Sequence, residues 1–311
     1  MCRLLGVSAS GYYASRHRPR CQRDKEDERL RQLIIAIHAR SRGTYGVPRI
    51  RAELRFDHGV NCSRKRVWRL MRQLHIHGAH RRRRVRTTMR SREAAPAPDL
   101  LNRNFTATRP DEVWLADITY IWTREGFLYL AAVVDVFTRQ VVGWAMANHL
   151  QTQLVLDALD MALWRRNPSA PLIHHSDQGT QYTSLAYGRH LRQAAIAPSM
   201  GSRGDAYDNA LAESFFATFE TELLDRELFL TRSAARMAAF DFIEAWYNPW
   251  RRHSSLGQIS PAEFERQWRA TRQTEEVMAL SYDPQLLTRP RKRVNSSLIP
   301  IPHSRNGSRV A

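Results

Sequence analysis

The stretch VWLADITYIWTREGFLYLAAVVDVFTRQVVGWAMA, residues 113–147, decides the fold. Its three runs, VWLADITYIW, FLYLAAVVDVF and RQVVGWAMA, are rich in Val, Ile, Tyr and Trp, the residues that suit a pleated, half-buried backbone. Gly126 marks a turn between the first two, so the stretch predicts a meander of three strands. Downstream, QTQLVLDALDMALWRRN (151–167) carries Leu154, Leu156, Ala158, Leu159 and Leu163 as the apolar side of a helix. PLIHHSD (171–177) reads as a short buried strand ending at Asp177, followed by a helix to about Ala195, the short apolar stretch AAIAPSM, a Gly-rich loop and the helix NALAESFFATFETELL (209–224).

Strand, strand, strand, helix, strand, helix, strand, helix predicts an α/β core: a mixed five-stranded sheet with flanking helices, in the order of a ribonuclease-H-like fold. The rest of the core reads as a long helix AARMAAFDFIEAWYN (234–248), a basic loop PWRRHSSLGQ, and a short helix SPAEFERQW (260–268) with Ser260 and Glu263 as a capping box around Pro261. The expected organisation is a basic helical region over 1–90, a Pro- and Ala-rich linker over 91–108, the core over 109–267, and a basic flexible tail over 268–311.

Three carboxylates stand out. Asp117 interrupts a strand in which Asp is disfavoured, and an ionised carboxylate beside Trp114, Leu115, Ile118 and Tyr120 is costly unless a cation or backbone donors offset it. Asp177 ends a strand and could simply cap a turn, and Glu213 could simply complement a helix dipole. In the inferred fold, however, the first and fourth strands are neighbours and the last core helix crosses their ends, so all three meet. Converging hard oxygen ligands suit two Mg²⁺ or Mn²⁺ ions and phosphoryl transfer. Asp135 is a further candidate ligand or a sheet-end turn residue; Asp205 and Asp208 lie in the loop before Glu213, where Asp208 or Asn209 can cap the helix.

The N-terminal region is basic and helical. DKEDERLRQLIIAIHAR (24–40) repeats Leu30, Leu33, Ile34 and Ile37 on one stripe, and a short helix opening at Pro48 should reach about Arg55. Ser63 can cap SRKRVWRLMRQLH, with Val67, Leu70, Met71 and Leu74 inward and Arg64, Lys65, Arg69 and Arg72 outward. Two helices joined by a short Gly-containing turn form a helix-turn-helix candidate, or a plain helical hairpin with a solvated face. The run His80, Arg81, Arg82, Arg83, Arg84 favours phosphate contact. His75, His77 and His80 with Cys62 match no common zinc spacing. Later in the chain, Trp246, Tyr247, Trp250 and His253 interleave with Arg251 and Arg252, an arrangement equally suited to DNA contact and to helix packing.

Composition agrees with a nucleic-acid partner. Forty-eight Lys and Arg against thirty Asp and Glu give a formal charge of +18 over 311 residues, and 43% hydrophobic content is ample for a packed core. Three scattered cysteines read as reduced thiols, and no apolar run approaches membrane-spanning length, so a cytoplasmic protein with no membrane partner is expected.

The motifs DITYIW around Asp117, HHSDQGTQYTS around Asp177, SMGSRGDAYDNALAESFFATFETEL around Glu213 and YNPWRRHSSLGQISPAEFE resemble the catalytic subunit of DDE transposases of the insertion-sequence-three family, relatives of retroviral integrases. The resemblance spans about residues 1–267. It implies that Asp117, Asp177 and Glu213 are the catalytic triad, with the thirty-five-residue interval between the last two typical of the group. It also implies cleavage at element ends followed by strand transfer, double-stranded DNA as partner, homo-oligomers on that DNA and a bacterial, nucleoid-associated setting. The opening MCRLLGVSASGYYASR is similar to the start of a downstream-frame product, which implies an upstream-frame helix-turn-helix and leucine-zipper protein as a further partner. Relatives often carry Lys or Arg seven residues after the catalytic Glu; here Glu220 stands there, with Arg203 or Arg226 as possible substitutes. The other functions open to these residues are a ribonuclease-H-like nuclease that does not join strands and a catalytically silent DNA-binding repressor.

Overall fold

A computed structural model describes residues 2, 4, 6–17, 21–80, 97–101, 106–201 and 210–281, without the side chains of 17, 210–213, 276 and 279–281. The chain opens with α1 (Ala9–His17), α2 (Gln22–Arg40), α3 (Val47–Phe56) and α4 (Arg64–Gln73). Pro48 stands in the first turn of α3, where its missing N–H is no loss, and the Ser63 hydroxyl accepts from the Arg66 N–H to cap α4. Buried Leu30, Ile34 and Ile37 of α2, Ile50 and Leu54 of α3, and Val67, Leu70 and Met71 of α4 close a small helical core.

The sheet consists of β1 (Val113–Thr123), β2 (Gly126–Asp135), β3 (Val141–Ala147), β4 (Ile173–Ser176) and β5 (Ala197–Met200). Its order is β3-β2-β1-β4-β5. The β1, β2 and β3 meander is antiparallel, whereas β1 with β4 and β4 with β5 are parallel. This is the mixed five-stranded sheet expected from the strand and helix order. The helices α5 (Thr152–Arg166) and α6 (Leu185–Gln193) cover one face, where Trp114, Ala116, Val133 and Val142 meet Leu154, Val155, Ala158, Leu159, Tyr187 and Leu191. The other face, with Ile121, Leu128, Leu130 and Val134, is covered by α7 (Ala210–Phe219), by α8 (Arg232–Phe240) and by the segments that continue them.

Those continuations differ from the sequence reading. Glu220–Leu224 and Asp241–Tyr247 are π-helical, so neither α7 nor α8 runs on as a uniform α-helix. Each widened turn rotates the following side chains relative to the preceding α-helix. The last helix, α9 (Pro261–Ser281), also runs well past Trp268. Its later residues, RATRQTEEVMALS, hold no Gly or Pro, and the Arg272–Glu275 pair at 3.6 Å supports the helix where no apolar stripe signals it. Among the described residues no helix is long and apolar enough to cross a membrane.

The hydrophobic cluster on the α7 face is continuous with the core of α2, α3 and α4: Tyr45 lies against Trp246 with ring centroids 5.5 Å apart, and both belong to that cluster. On the opposite face Gly143 sets how closely α5 approaches β3, because a Cβ there would stand 2.2 Å from the Ala158 carbonyl oxygen and 2.6 Å from the Ala162 nitrogen. Both neighbours are backbone and cannot rotate away. Gly143→Ala is therefore expected to destabilise the fold by about 1–3 kcal/mol or more, read as a lower urea midpoint. An unchanged midpoint would contradict this packing.

Candidate active site

The pairing of β1 with β4 decides where the first two carboxylates stand. Ala116 pairs with Ser176, and Asp117 and Asp177 are each the next residue along these two parallel strands. Neighbouring strands lie about 4.8 Å apart, and equivalent positions of a parallel pair project to the same side. The two Asp residues are thus side by side at the sheet centre. Leu115, Asp117, Thr119 and Ile121 alternate onto one side of β1, and Ile121 is buried in the cluster that contains Phe215, Phe216 and Phe219 of α7. Asp117 is half-buried and accepts from the Ile118 N–H at 2.8 Å. Asp177 is exposed and accepts from the Gly179 N–H at 3.0 Å.

The loop after β4 is anchored by Gln178, whose side-chain amide donates to the Gly201 carbonyl at 2.8 Å. Tyr182, 3% exposed, lies close enough to feel both carboxylates: burial foremost, then Tyr187, Asp117 and Asp177, push its phenol well above the usual value of 10. Glu213 belongs to the first turn of α7, and its side chain lies outside the described residues, as do Arg203, Asp205 and Asp208. Among the described side chains, which do not include that of Glu213, no three His, Cys, Asp or Glu are grouped to hold a metal.

Other candidate groups have internal tasks. The Asp135 side chain, 0% exposed, accepts from the Asp111 N–H at 2.8 Å and from the Thr138 N–H and hydroxyl at 2.6 and 2.7 Å. It fastens the end of β2, so the turn reading holds over the ligand reading. Next to Asp177, His175 shares a hydrogen bond with Ser199 at 2.9 Å, and His174 shares one with the Tyr187 hydroxyl at 3.0 Å.

Comparison with known proteins gives the family. Residues 25–84 match the HTH-like domain, and residues 107–206 and 194–261 match two integrase core domain families. The insertion element IS600 uncharacterized 31 kDa protein of Shigella sonnei is 42% identical over 269 residues, covering 86% of this chain and 98% of that protein. The transposase for insertion sequence element IS629 of Shigella sonnei is 38% identical over 284 residues, 90% of this chain and 95% of its own. Transposase InsF for insertion sequence IS3A of Escherichia coli (strain K12) is 38% identical over 267 residues, 85% and 92% of the two chains. The chain belongs to the IS3 family of transposases. It is a polynucleotidyl transferase of the transposase and integrase type, and its general role is DNA transposition.

Within this transposase the arginines of the late basic loop point inward. Arg251 is 4% exposed and grips Glu222 bidentately, Nε to Oε2 at 2.9 Å and Nη2 to Oε1 at 2.8 Å, while Arg49 of α3 reaches the same carboxylate at 3.2 Å. Arg252, 8% exposed, bonds Glu53 at 2.8 Å and Asp57 at 2.6 Å. His253 Nε2 accepts from Arg251 Nη1 at 3.2 Å, and burial together with Arg251, Arg49 and Arg139 holds its pKa well below 6.5, so it is neutral at pH 7. The expectation that Arg251 and Arg252 contact DNA is corrected on these grounds: both are buried, and their charges are neutralised inside the fold. Sequence offered no local signal for this, because the acidic partners lie 29 to 199 residues away.

In the helix-turn-helix region the basic residues divide by side. Arg66 and Arg69 of α4 turn toward α2 and pair with Asp27 at 2.7 and 2.5 Å. Burial alone would raise the Asp27 pKa, but these two guanidinium groups outweigh it and hold it below its ordinary value. Arg69 is thus partly committed inward, contrary to a wholly outward reading. Arg64, Lys65, Trp68 and Arg72 form the exposed side of α4. Arg81, Arg82, Arg83 and Arg84 lie outside the described residues. Glu220 opens the π-helical turn, and Arg226 donates to the Arg42 carbonyl at 3.1 Å.

Two outcomes follow. Removing one member of a buried ion pair strands the other, so Arg251→Ala should destabilise by about 3–5 kcal/mol in urea unfolding. The salt dependence of DNA binding, measured where the variant is still folded, should stay unchanged, whereas a phosphate contact would flatten it. His174, fully enclosed, has its pKa lowered to about 4 by burial and by His175. Between pH 6.5 and 4 the unfolded chain therefore binds the extra proton, and stability is lost as pH falls through that window, by roughly 3 kcal/mol at its foot. The difference in unfolding free energy between wild type and His174→Gln should follow that pH course; a pH-independent difference would contradict it.

Proposed function

We propose that this transposase hydrolyses DNA at the ends of its insertion sequence and that the freed 3′-hydroxyl then attacks a target phosphodiester, displacing the target's own 3′-oxygen, by two-metal-ion phosphoryl transfer at Asp117, Asp177 and Glu213. The observation that carries the reading is the placement of Asp117 and Asp177 one step beyond the Ala116–Ser176 pair on adjacent central strands. Glu213 enters from the first turn of α7, the helix packed over that side of β1. Adjacent carboxylate oxygens on a rigid sheet fit a hard divalent cation. Two Mg²⁺ or Mn²⁺ ions held by these residues would supply activation of the attacking oxygen and stabilisation of the leaving one.

The protein's own residues supply the frame. The backbone N–H groups of Ile118 and Gly179 orient the two carboxylates, and Gln178 fixes the loop that carries the second. A covalent route through a side chain has little support, since His175 beside Asp177 is buried and engaged with Ser199. DNA is delivered by the exposed side of α4, where Arg64 and Lys65 stand in the first turn of the second helix of the helix-turn-helix, and by Arg81 to Arg84. An element has two ends, so more than one copy acts on the same DNA.

The test uses full-length chain, labelled element-end DNA, and Mg²⁺ or Mn²⁺. Strand-transfer products are expected, and Asp117→Asn, Asp177→Asn and Glu213→Gln should each lower cutting and joining by on the order of a thousandfold with DNA affinity held within a few fold. Cutting without joining would replace the proposal with a nuclease, and a mobility shift alone with a repressor.

A further inference from the structure

Trp68 is 53% exposed on α4, while Val67, Leu70 and Met71 of the same helix form its buried side. An exposed tryptophan on a short helix forgoes the burial of a large apolar ring. Its setting is specific. Arg64 and Lys65 stand one turn before it and Arg72 one turn after it, all exposed, and none of the three pairs with a carboxylate among the described residues. The Arg72 guanidinium lies over the Trp68 ring at 5.5 Å, which orients the indole along the helix surface. On the α2-facing side of the helix the charges of Arg66 and Arg69 are met by Asp27 and Glu26. One side of α4 is therefore electrostatically satisfied within the fold, and the other presents an apolar ring framed by three cations.

Cations alone would serve phosphate contact, which carries no sequence information. The ring adds an apolar surface, and the one apolar group that a base pair offers in the major groove is the thymine methyl. A protein partner is a poorer match, because a single indole ringed by like charges falls far short of the roughly 800 Å² per side of a stable protein interface. We propose that Trp68 is a sequence-reading residue of this transposase, packing on thymine methyl groups in the major groove while Arg64, Lys65 and Arg72 hold the flanking phosphates. The inference rests on the reading of α4 as the DNA-facing helix of the helix-turn-helix.

The test begins with full-length chain and a pool of randomised DNA duplexes. The enriched duplex is resynthesised with uracil in place of thymine, a change that removes only the 5-methyl group. Wild type should lose about fourfold in affinity for each thymine contacted by the ring. Trp68→Ala should bind the thymine duplex roughly tenfold more weakly than wild type, be indifferent to uracil, and keep the wild-type salt slope, because no phosphate contact is lost. Trp68→Phe, which retains an apolar ring, should remain sensitive to uracil. A wild type indifferent to uracil, or a Trp68→Ala variant as sensitive as wild type, overturns the role of Trp68 while leaving the DNA-facing helix intact. If wild type enriches no sequence, and Arg64→Ala with Lys65→Ala leaves both affinity and salt slope unchanged, the reading of α4 itself falls.

Discussion

The bidentate pair of Glu222 and Arg251, with Arg49 as a third member, is the constraint on which the arrangement of this chain depends. Two ions taken out of water lose several kcal/mol of hydration each, and their attraction offsets that loss only when geometry and hydrogen bonding are nearly complete. Here both carboxylate oxygens of Glu222 and two nitrogens of Arg251 are engaged. The three residues come from α3, from the π-helical turn after α7, and from the loop after the second π-helical turn. A displacement of any one segment would leave a buried charge unmatched. What the network gives is therefore discrimination among arrangements more than net stability.

The π-helical turn after α7 is the local feature that makes this possible. The helix carrying Glu213 in its first turn must pack Phe215, Phe216 and Phe219 against the sheet, yet Glu222 must face the helical region formed by α2, α3 and α4. Widening the helix at Glu220–Leu224 meets both demands within one continuous segment. A link thus runs from the first turn of α7, through its phenylalanines, to the arginines that fasten the N-terminal helices. The helix that carries Glu213 in its first turn is directly continued by the turn that fastens α3 through Glu222.

Much of this was legible in the sequence, and the boundary of legibility has a physical cause. The strands from Val113 to Ala147, the stripe of Leu30, Ile34 and Ile37, and the Ser63 cap are written in local spacing and local chemistry. The adjacency of Asp117 and Asp177 follows from the strand order, because a parallel pairing of β1 with β4 leaves few registers that keep both apolar faces buried. The roles of Arg251 and Arg252 were not legible. A basic loop looks the same in sequence whether its partner is phosphate or a buried carboxylate far along the chain, and Glu53, Asp57 and Glu222 carry no mark that they will be enclosed. The π turns carry no local mark either, since Glu220–Leu224 and Asp241–Tyr247 hold no Gly or Pro.

The contrast between Asp135 and the Asp117–Asp177 pair shows how one residue type is given two tasks on one sheet. Asp135 is enclosed, and three donors from Asp111 and Thr138 converge on it. Burial raises its pKa even against those donors. Asp177, by contrast, is exposed at the end of its strand with one oxygen held by the Gly179 N–H. A buried carboxylate with three donors converging on it fastens a turn, and little of its acceptor capacity is left for a cation. One oriented by a single backbone donor, beside a second carboxylate on the next strand, keeps oxygen lone pairs available and gains from a cation that relieves the like-charge repulsion. Sequence places Asp135 and Asp177 alike at a strand end; the number and direction of the surrounding donors decide which is structural and which belongs to the proposed site.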